Sequence, residues 1–554
     1  MTMLGAWLLI GSSSLAVTEP TSVADTSKPA AEWINAIQQD DVYQYSVPIG
    51  NDVDHRAYMW IPPDCKHVRG LLIGAQNMQE EPFFEDLVIR KACAESGIGI
   101  VWFSPGDDVG VSLYKTFKPG AADGVQKALA DLAKVSGYSE VENAPLLATA
   151  HSASTPFVWG MADAFSSRMI AILPLKGWFT GHMTPGIPAL HISSEYGEVG
   201  GVNWGETYLS DRKQIARLRS EAPDRLIGEA VDIGAGHYEW DSHFAPVIAM
   251  FIKKSAQYRL PSNEPLTGPV MLKAIDPASG WLIDPDKLGT PGGAGSSYKD
   301  WTGDPTTGLW YYDKEMAKTV NDYIIANMAK KPQVVDFLDK NGQPIPLITT
   351  GVSYLDVTWL PDNASFNVSA TYLDKSPTTK LYDGQSVGHS TAPILFKVST
   401  GGIKQTGPNT FRMWMKRGGV VQQGSPWEPT LMAYSEGDSE YRRADRPGHP
   451  WLKLVNTTGT PQTITFNKIS DVTTKTKQIT LSAVSSSGLP VQFFTVSGPV
   501  EISDSDNTKL TFQRIPPRSA FPVHVIVGAY QWGRTVAPQI QNGGPVYQEF
   551  LIQK

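Results

Sequence analysis

Between Tyr43 and Leu260 the chain alternates continuous apolar runs with segments of helical spacing, and few folds accommodate that pattern. Because the runs do not alternate with polar residues, the strands that they predict would be buried on both faces. Buried strands separated by helices form a mostly parallel sheet with helices packed on each side. We therefore predict an α/β domain over residues 43–262. The predicted strands are 55–61, 70–75, 97–104, 145–150, 169–175, 188–193 and 225–233, and the predicted helices are 83–96, 120–135, 155–165, 204–220 and 244–255.

The sequence after this domain predicts three further regions. Residues 263–331 break the alternation, contain one helical segment at 314–329, and are expected to wrap around the α/β domain. Residues 332–460 and 461–554 consist of short runs rich in Val, Thr, Ile, Phe and Tyr between turn residues, which is typical of β-sandwiches. The last region resembles the bacterial immunoglobulin-like repeats of secreted proteins through Ile464-Thr-Phe466, Ile469-Ser-Asp-Val472 and Ser485-Ser-Ser-Gly-Leu-Pro490.

The N-terminus predicts export. The apolar stretch Leu4–Val17 is too short for a membrane span, and Ser14-Leu15-Ala16 fits a cleavage site, so residues 1–16 are interpreted as a signal peptide. Residues 17–42 are rich in Thr, Ser, Pro and Ala and are predicted to form a flexible leader. We expect no stable membrane insertion and a secreted, periplasmic or cell-surface location in a bacterium.

Composition excludes several classes of partner. The formal net charge is −8, and no basic run occurs, which argues against nucleic acid or an anionic membrane as the main partner. The two cysteines, Cys65 and Cys93, are too few for a disulfide scaffold or a four-cysteine zinc site. One disulfide and two free thiols both remain open, and the oligomeric state is not predicted.

A candidate nucleophile follows the predicted strand 145–150. The sequence continues as His151-Ser152-Ala153-Ser154, and a helical segment begins directly afterwards. A serine on such a sharp strand-to-helix turn needs small residues two positions before and after it, which Ala150 and Ser154 provide. The turn would expose the Ser152 hydroxyl and direct the N-terminus of the helix towards the reacting group.

A candidate base and a candidate acid follow later predicted strands. His237 comes after the strand 225–233 and a glycine turn, so its imidazole would lie at the carboxyl end of the sheet. Glu195 and Glu198 both follow the strand 188–193, and either carboxylate could orient the imidazole and stabilise its charged form. We prefer Glu195, because it is closer to the end of the strand, and keep Glu198 as the alternative.

Two backbone N–H groups are candidates for stabilising an oxyanion. One belongs to Gln76, with Asn77 as the alternative, at the end of the strand 70–75, and the other belongs to Ala153. Facing each other, they would stabilise a tetrahedral oxyanion by about 3 kcal/mol per donor.

A metal site is the competing interpretation of the region around His237. Four potential ligands alternate there, namely His237, Glu239, Asp241 and His243. The common zinc spacing His-Glu-x-x-His is absent, so we do not favour this interpretation. No metal and no organic cofactor are predicted.

The order serine, acid, histidine on alternating strands and helices resembles the α/β-hydrolase superfamily over residues 43–260. The resemblance implies a serine hydrolase with Ser152 as nucleophile, Glu195 (or Glu198) as acid, His237 as base, and Gln76 and Ala153 as oxyanion donors. The chain departs from the common Gly-x-Ser-x-Gly pattern by having Ala150 and Ser154, and from the commoner aspartate by having a glutamate. The whole chain also resembles large exported bacterial hydrolase-like proteins without an assigned substrate.

The resemblance to this superfamily also implies cleavage of carboxylic esters through an acyl-enzyme. The segment 176–187 is too short for a large lid, and the β-rich regions and predicted export favour a polymeric or glycan-linked extracellular substrate. A carbohydrate esterase that removes acetyl, feruloyl or methyl esters is the leading hypothesis. The alternatives are a general carboxylesterase or polyesterase, a serine peptidase and, from another class, an inactive extracellular binding protein. Four tryptophans could line a cleft and stack on sugar or aryl rings, namely Trp178, Trp204, Trp240 and Trp301.

Overall fold

The protein is represented by a computed structural model. The residues that it describes are 42–51, 53–104, 117–177, 183–195, 207–261, 268–345, 353–375, 385–418, 429–450, 452, 455–503 and 506–554. The predicted signal peptide and nearly all of the predicted leader therefore lie outside the described residues, as do Glu198, Trp178 and Trp204.

An eight-stranded sheet forms the centre of the N-terminal part. Its strand order is β1-β2-β4-β3-β5-β6-β7-β8. Strand β2 pairs antiparallel with both β1 and β4, and all other neighbouring strands pair parallel. The strands are β1 (Tyr45–Pro48), β2 (Arg56–Trp60), β3 (Gly70–Ala75), β4 (Ile98–Ser104), β5 (Leu146–His151), β6 (Met169–Leu175), β7 (Ala189–Ser194) and β8 (Ile227–Asp232). The predicted mostly parallel sheet is confirmed.

Helices connect these strands. They are α1 (Glu80–Phe84), α2 (Leu87–Ser96), α3 (Ala121–Ser136), α4 (Thr155–Ala164), α5 (Thr207–Glu221) and α6 (Ala245–Arg259). The single helix predicted over 83–96 is wrong, because one helix ends at Phe84 and Asp86 caps the start of the next. The Asp86 carboxylate accepts the N–H groups of Val88 and Ile89 at 2.8 and 3.2 Å, which satisfies donors that the first turn of α2 leaves open.

The region after α6 packs against the outer strand of the sheet. It contains a small sheet of β9 (Trp281–Ile283), β10 (Ser296–Ser297) and β11 (Leu309–Tyr311), followed by α7 (Lys314–Met328). Tyr311 donates its hydroxyl to the carbonyl of Glu229 on β8 at 2.7 Å. A Cβ on Gly228 would lie 2.6 Å from the Trp310 carbonyl, so glycine is what lets the two chain segments approach.

The chain continues into a strand-rich region, called here the middle β-module (residues 332–460). Its four-stranded sheets have the orders β13-β21-β20-β17 and β14-β15-β19-β18, and β12 pairs with β16. The strands are β12 (Val334–Leu338), β13 (Ser353–Leu355), β14 (Thr358–Trp359), β15 (Ser365–Asn367), β16 (Ser369–Leu373), β17 (Leu395–Thr400), β18 (Ile403–Gln405), β19 (Thr410–Met413), β20 (Thr430–Ser435) and β21 (Ala444–Pro450).

The last region, the C-terminal β-module (residues 461–554), packs against the edge of the main sheet. Gly498 donates its N–H to the Tyr43 carbonyl at 3.1 Å, and Tyr547 donates its hydroxyl to Asp54 at 2.6 Å. Its strands are β22 (Ile464–Phe466), β23 (Val472–Thr473), β24 (Gln478–Thr480), β25 (Ala483–Ser485), β26 (Gln492–Ser497), β27 (Val500–Ile502), β28 (Lys509–Phe512), β29 (Val523–Gln531) and β30 (Gly543–Gln553). Over the described residues, no helix combines the length and apolarity that a membrane crossing requires.

Candidate active site

Ser152 lies on a strained turn at the carboxyl end of β5. Its φ is 52°, a left-handed conformation that residues other than glycine rarely adopt. Ser152 to Ser154 form one short 3₁₀ turn, and α4 begins at Thr155. The neighbouring chain comes very close, because a Cβ on Gly177 would lie 2.8 Å from the Ser152 carbonyl oxygen. This geometry is that of a nucleophile turn between a strand and a helix.

His237 contacts this serine directly. Its Nε2 lies 2.7 Å from Ser152 Oγ, a hydrogen-bond distance suited to proton transfer. The histidine follows β8 through a glycine turn, and Gly234 has a φ of 81°. Strands β5 and β8 are not neighbours in the sheet, so the turns at their carboxyl ends are what bring the two side chains together.

The loop that carries His237 is fixed by buried side chains from other strand ends. His151 Nε2 donates to the His237 carbonyl at 2.8 Å, which requires the proton of that ring to be on Nε2. Lys176, directly after β6, donates its ammonium to the carbonyls of Gly236 and Glu239 at 2.9 and 2.8 Å. The same ammonium lies 3.0 Å from the carboxylate of Asp232. The main chain is thus held on both sides of His237.

Glu195 follows β7 as expected, but its contacts are with other groups. One carboxylate oxygen accepts the N–H of Gly234 at 2.7 Å, and the other pairs with the guanidinium of Arg442 in the middle β-module. The residue is buried. Both oxygens are therefore engaged beside the His237 loop and not at the imidazole. Glu198 lies outside the described residues, so the choice between the two glutamates stays a prediction.

Gln76 does not offer the N–H group that the sequence suggested. Its N–H donates to the Phe103 carbonyl of β4 at 2.8 Å, and its side-chain oxygen accepts the indole N–H of Trp102 at 3.0 Å. The prediction that Gln76 is an oxyanion donor is therefore wrong, because the sheet continues by one hydrogen bond beyond β3. Ala153 stays a predicted donor, since it lies at the start of the turn that leads into α4, where N–H groups have no helical partner.

The loop after β3 is organised by a buried carboxylate, Glu80. It accepts the N–H groups of Asn77 and Met78 at 2.8 and 3.1 Å and the N–H of His151 at 2.7 Å. Asn77 also donates its side-chain amide to the His151 carbonyl at 3.0 Å. Glu80 thereby ties the loop after β3 to the end of β5. Burial raises the pKa of Glu80 to about 7, although the backbone donors act in the opposite direction.

This raised pKa predicts a pH-dependent stability. The folded protein holds the Glu80 proton up to about pH 7, whereas the unfolded chain loses it near 4.5, so the contribution of Glu80 is lost as the pH rises between these values. The loss is on the order of 3 kcal/mol. The free energy of unfolding, measured in urea, should therefore rise for Glu80→Gln relative to the wild type by this amount when the pH is changed from 4 to 8. If the free energies of unfolding of the two proteins differ by the same amount at both pH values, the raised pKa of Glu80 is contradicted. Other titrating groups are common to both proteins, so their effects cancel in this difference.

The residues of the competing metal interpretation are engaged in ion pairs. Glu239 pairs with Arg443 at 2.9 Å, Asp241 pairs with Lys397 and with Arg443, and His243 lies 3.1 Å from Asp232. Asp232 and Asp241 raise the pKa of His243 to about 9 against the effect of burial, so it is a cation at neutral pH. A cationic imidazole cannot coordinate a metal. Among the described residues, no cluster of three or more potential ligands could hold a metal ion.

A small apolar patch of Met78 and Tyr238 lies next to the histidine. The rings of Tyr238 and His237 meet edge to face at 4.7 Å. The ring of Tyr238 also faces His449 on β21 at 5.9 Å, so the middle β-module reaches the candidate site. Burial lowers the pKa of His449 to about 4, which keeps this imidazole neutral. The surroundings of His237 thus include apolar and neutral groups from both parts of the chain.

Two of the predicted cleft tryptophans belong to the packed interior. Trp240 donates its indole N–H to Asp86 at 3.2 Å and packs edge to face on Phe83, and Trp301 is half-buried against the core. The two cysteines, Cys65 and Cys93, are free thiols, and burial raises the pKa of Cys93 to about 12. Neither pair of residues contributes to the site.

The comparisons with known proteins find similarity in solved structures alone. No protein-family model and no curated protein matches the chain. S-formylglutathione hydrolase FrmB from Staphylococcus aureus is 9% identical and covers 38% of this chain and 98% of its own, with a TM-score of 0.28. Acetyl xylan esterase from Aspergillus awamori is 12% identical over 38% of this chain and 98% of its own, with a TM-score of 0.27. A putative α/β hydrolase of unknown function from Agrobacterium tumefaciens is 11% identical over 40% and 100%, with a TM-score of 0.29.

Proposed function

We propose that the protein is a serine hydrolase that cleaves carboxylic esters. The observation that carries this proposal is the 2.7 Å contact between His237 Nε2 and the hydroxyl of Ser152 on a left-handed turn. A serine hydroxyl is a weak nucleophile unless a base takes its proton, and the histidine is placed to do so. The energetic cost of the left-handed φ at Ser152 also supports a functional role.

The reaction proceeds in two halves. Ser152 Oγ attacks the acyl carbonyl while its proton moves to His237 Nε2, and the N–H of Ala153 stabilises the resulting oxyanion. When the tetrahedral intermediate collapses, the C–O bond to the alcohol breaks and His237 returns the proton to the leaving oxygen. Water then attacks the acyl-enzyme with His237 as base, which releases the acid and restores Ser152. No metal or organic cofactor takes part in these steps.

The triad acid is assigned within this proposal to the loop after β7. Both oxygens of Glu195 already serve Gly234 and Arg442, so its contacts favour a structural role. Glu198, the second glutamate that follows β7 in the sequence, is then the candidate that orients His237. This assignment replaces the preference for Glu195 that its position in the sequence suggested.

Separate replacements distinguish the two glutamates. Glu198→Gln should lower kcat by about 10³- to 10⁴-fold with little change in stability, because the imidazole loses the carboxylate that holds its tautomer. Glu195→Gln should instead reduce the free energy of unfolding by roughly 3 kcal/mol, because Arg442 keeps a buried charge without its partner. Steady-state kinetics and urea unfolding of both variants provide the measurement. If Glu195→Gln causes the larger loss of kcat, Glu195 is the acid.

Turnover of p-nitrophenyl acetate by the purified full chain tests the proposed activity. The wild type should release p-nitrophenol, and Ser152→Ala should abolish the release. Ser154→Ala is the matched control, because Ser154 is buried two positions along the same turn and alanine keeps the residue small. If Ser152→Ala keeps its activity, Ser152 is not the nucleophile and the proposal fails. If the wild type is inactive, the proposal also fails, and the alternative of an extracellular binding protein becomes the better one.

The substrate class within this proposal is a carbohydrate ester outside the cell. Its support is the sequence pattern alone: a short segment after β6, an apolar N-terminus typical of export, and β-rich regions after the α/β domain. A panel of acetylated, feruloylated and methyl-esterified polysaccharides tests it against short-chain esters, polyesters and peptides. Release of acetate, ferulate or methanol with kcat/KM at least tenfold above that for p-nitrophenyl acetate supports the carbohydrate esterase. Preference for the small esters or for peptides supports the corresponding alternative.

A further inference from the structure

Basic side chains of the middle β-module reach the loop that carries His237. Arg442 and Arg443 lie just before β21, and Lys397 lies on β17. The two arginines are almost fully buried, and each pairs with a buried carboxylate of the α/β domain. Buried ion pairs cost desolvation free energy, so a cluster of them at one junction calls for an explanation other than stability.

The ion pair between Arg442 and Glu195 holds the segment of chain that precedes His237. Arg442 binds one oxygen of Glu195, and the other oxygen of Glu195 accepts the N–H of Gly234, three residues before His237. The carbonyl of Arg443 packs against the same glycine, where a Cβ would lie only 2.5 Å away. The start of the His237 loop is therefore shaped by the module as well as by the end of β8.

The ion pairs of Arg443 hold the segment of chain that follows His237. Arg443 binds the carboxylates of Glu239 and Asp241. Lys397 also pairs with Asp241 and donates to the Trp240 carbonyl at 3.2 Å. The ring of Tyr434 on β20 lies under both cations, 4.5 Å from the Arg443 guanidinium. The three residues of the loop that follow Tyr238 are thus all held by groups of the module.

We propose that the middle β-module completes the catalytic unit: Arg442 and Arg443 are positioning residues that fix the loop on both sides of His237. This inference rests on the proposed function, in which His237 is the base. A base within 2.7 Å of the nucleophile loses most of its effect if its loop shifts by about 1 Å. The module also supplies the two cations, Arg443 and Lys397, that balance the carboxylates of Glu239 and Asp241.

The test compares Arg443→Met and Arg442→Met with the wild type in the full chain. Both variants should lower kcat about 10- to 100-fold and change KM less than threefold. Amide hydrogen exchange of a peptide covering residues 234–241 should become faster in both variants. The exchange measurement does not require activity.

Arg514→Met is the matched control, because Arg514 pairs with Asp64 across the junction of the C-terminal β-module, where both side chains are exposed. It should leave kcat, KM and the exchange of 234–241 unchanged. If either methionine variant does not fold, Arg442→Lys or Arg443→Lys replaces it and should lower kcat at least threefold. Folded variants with wild-type kcat and exchange overturn the proposal. Faster exchange together with an inactive wild type refutes the proposed function and leaves the positioning in place.

Discussion

Replacing His237 with glutamine should lower kcat/KM by at least about 10⁴-fold, because a neutral amide can hydrogen-bond to Ser152 but cannot accept its proton. The stability of the protein should change little, since glutamine keeps a polar group of similar reach in the same place. Steady-state hydrolysis of p-nitrophenyl acetate and urea unfolding of the same preparations measure the two effects. The expected result is therefore a loss of chemistry in a protein that is still folded.

His243→Gln is the matched control for this prediction. His243 is six residues away on the same segment, but it pairs with Asp232 and Asp241 and does not contact Ser152. Its replacement should reduce the free energy of unfolding by about 1–3 kcal/mol through the lost charged hydrogen bonds and leave kcat/KM within tenfold. If His237→Gln keeps a tenth of the activity, or if His243→Gln is the more damaging change, His237 is not the base.

The second large effect is expected at Lys176. Lys176→Met removes the buried ammonium that pairs with Asp232 and donates to the carbonyls of Gly236 and Glu239. Because the partners remain buried, the free energy of unfolding should fall by roughly 3–5 kcal/mol. The activity should fall as well, since the chain on both sides of His237 loses its support. Urea unfolding monitored by circular dichroism, and kcat measured in the absence of urea, check the two parts.

Lys318→Met provides the comparison for Lys176. Lys318 pairs with Asp322 one turn along the exposed face of α7, and such pairs contribute only about 0.3–0.5 kcal/mol. Its replacement should change neither kcat nor the unfolding midpoint measurably. Equal effects of the two lysine replacements would show that Lys176 does not hold the His237 loop.

The sequence predicted the α/β part well because its strands are buried on both faces. The strands over 70–75 and 169–175 coincide with β3 and β6, and the other predicted strands of the sheet match within two residues at each end. Continuous apolar runs leave little freedom for such elements. The prediction failed where one side chain determines the boundary of a helix. The carboxylate of Asp86, for example, starts a new helix inside an apolar segment.

The site was partly predictable for a similar reason. Ser152 and His237 both follow a strand directly, and strand ends at one edge of a parallel sheet lie close together, so their contact follows from the topology. Gln76 failed because the sequence does not show how far a sheet continues beyond its last apolar residue. The contacts of Glu195 were not predictable either, because Arg442 comes from a module that begins far along the chain.

Other residues around the site had little or no signal in the sequence. Lys176 gave a weak one, since a lysine directly after a buried strand lies at the edge where catalytic loops meet. Glu80 gave none, because it lies next to Glu81 and the two are typical of the acidic start of a helix. Its three backbone donors come from the loop after β3 and from the end of β5. Interactions between distant segments determine both roles.

Covalent labelling tests the central claim, that Ser152 is an activated nucleophile, most directly. The full chain is incubated with a fluorophosphonate and digested, and mass spectrometry locates the adduct. The assignment of Ser152 as nucleophile predicts one adduct on Ser152, none in Ser152→Ala, normal labelling of Ser154→Ala, and labelling of His237→Gln slowed by at least about 10³-fold. A folded wild type that is not labelled, or an adduct on another residue that persists in Ser152→Ala, would contradict it.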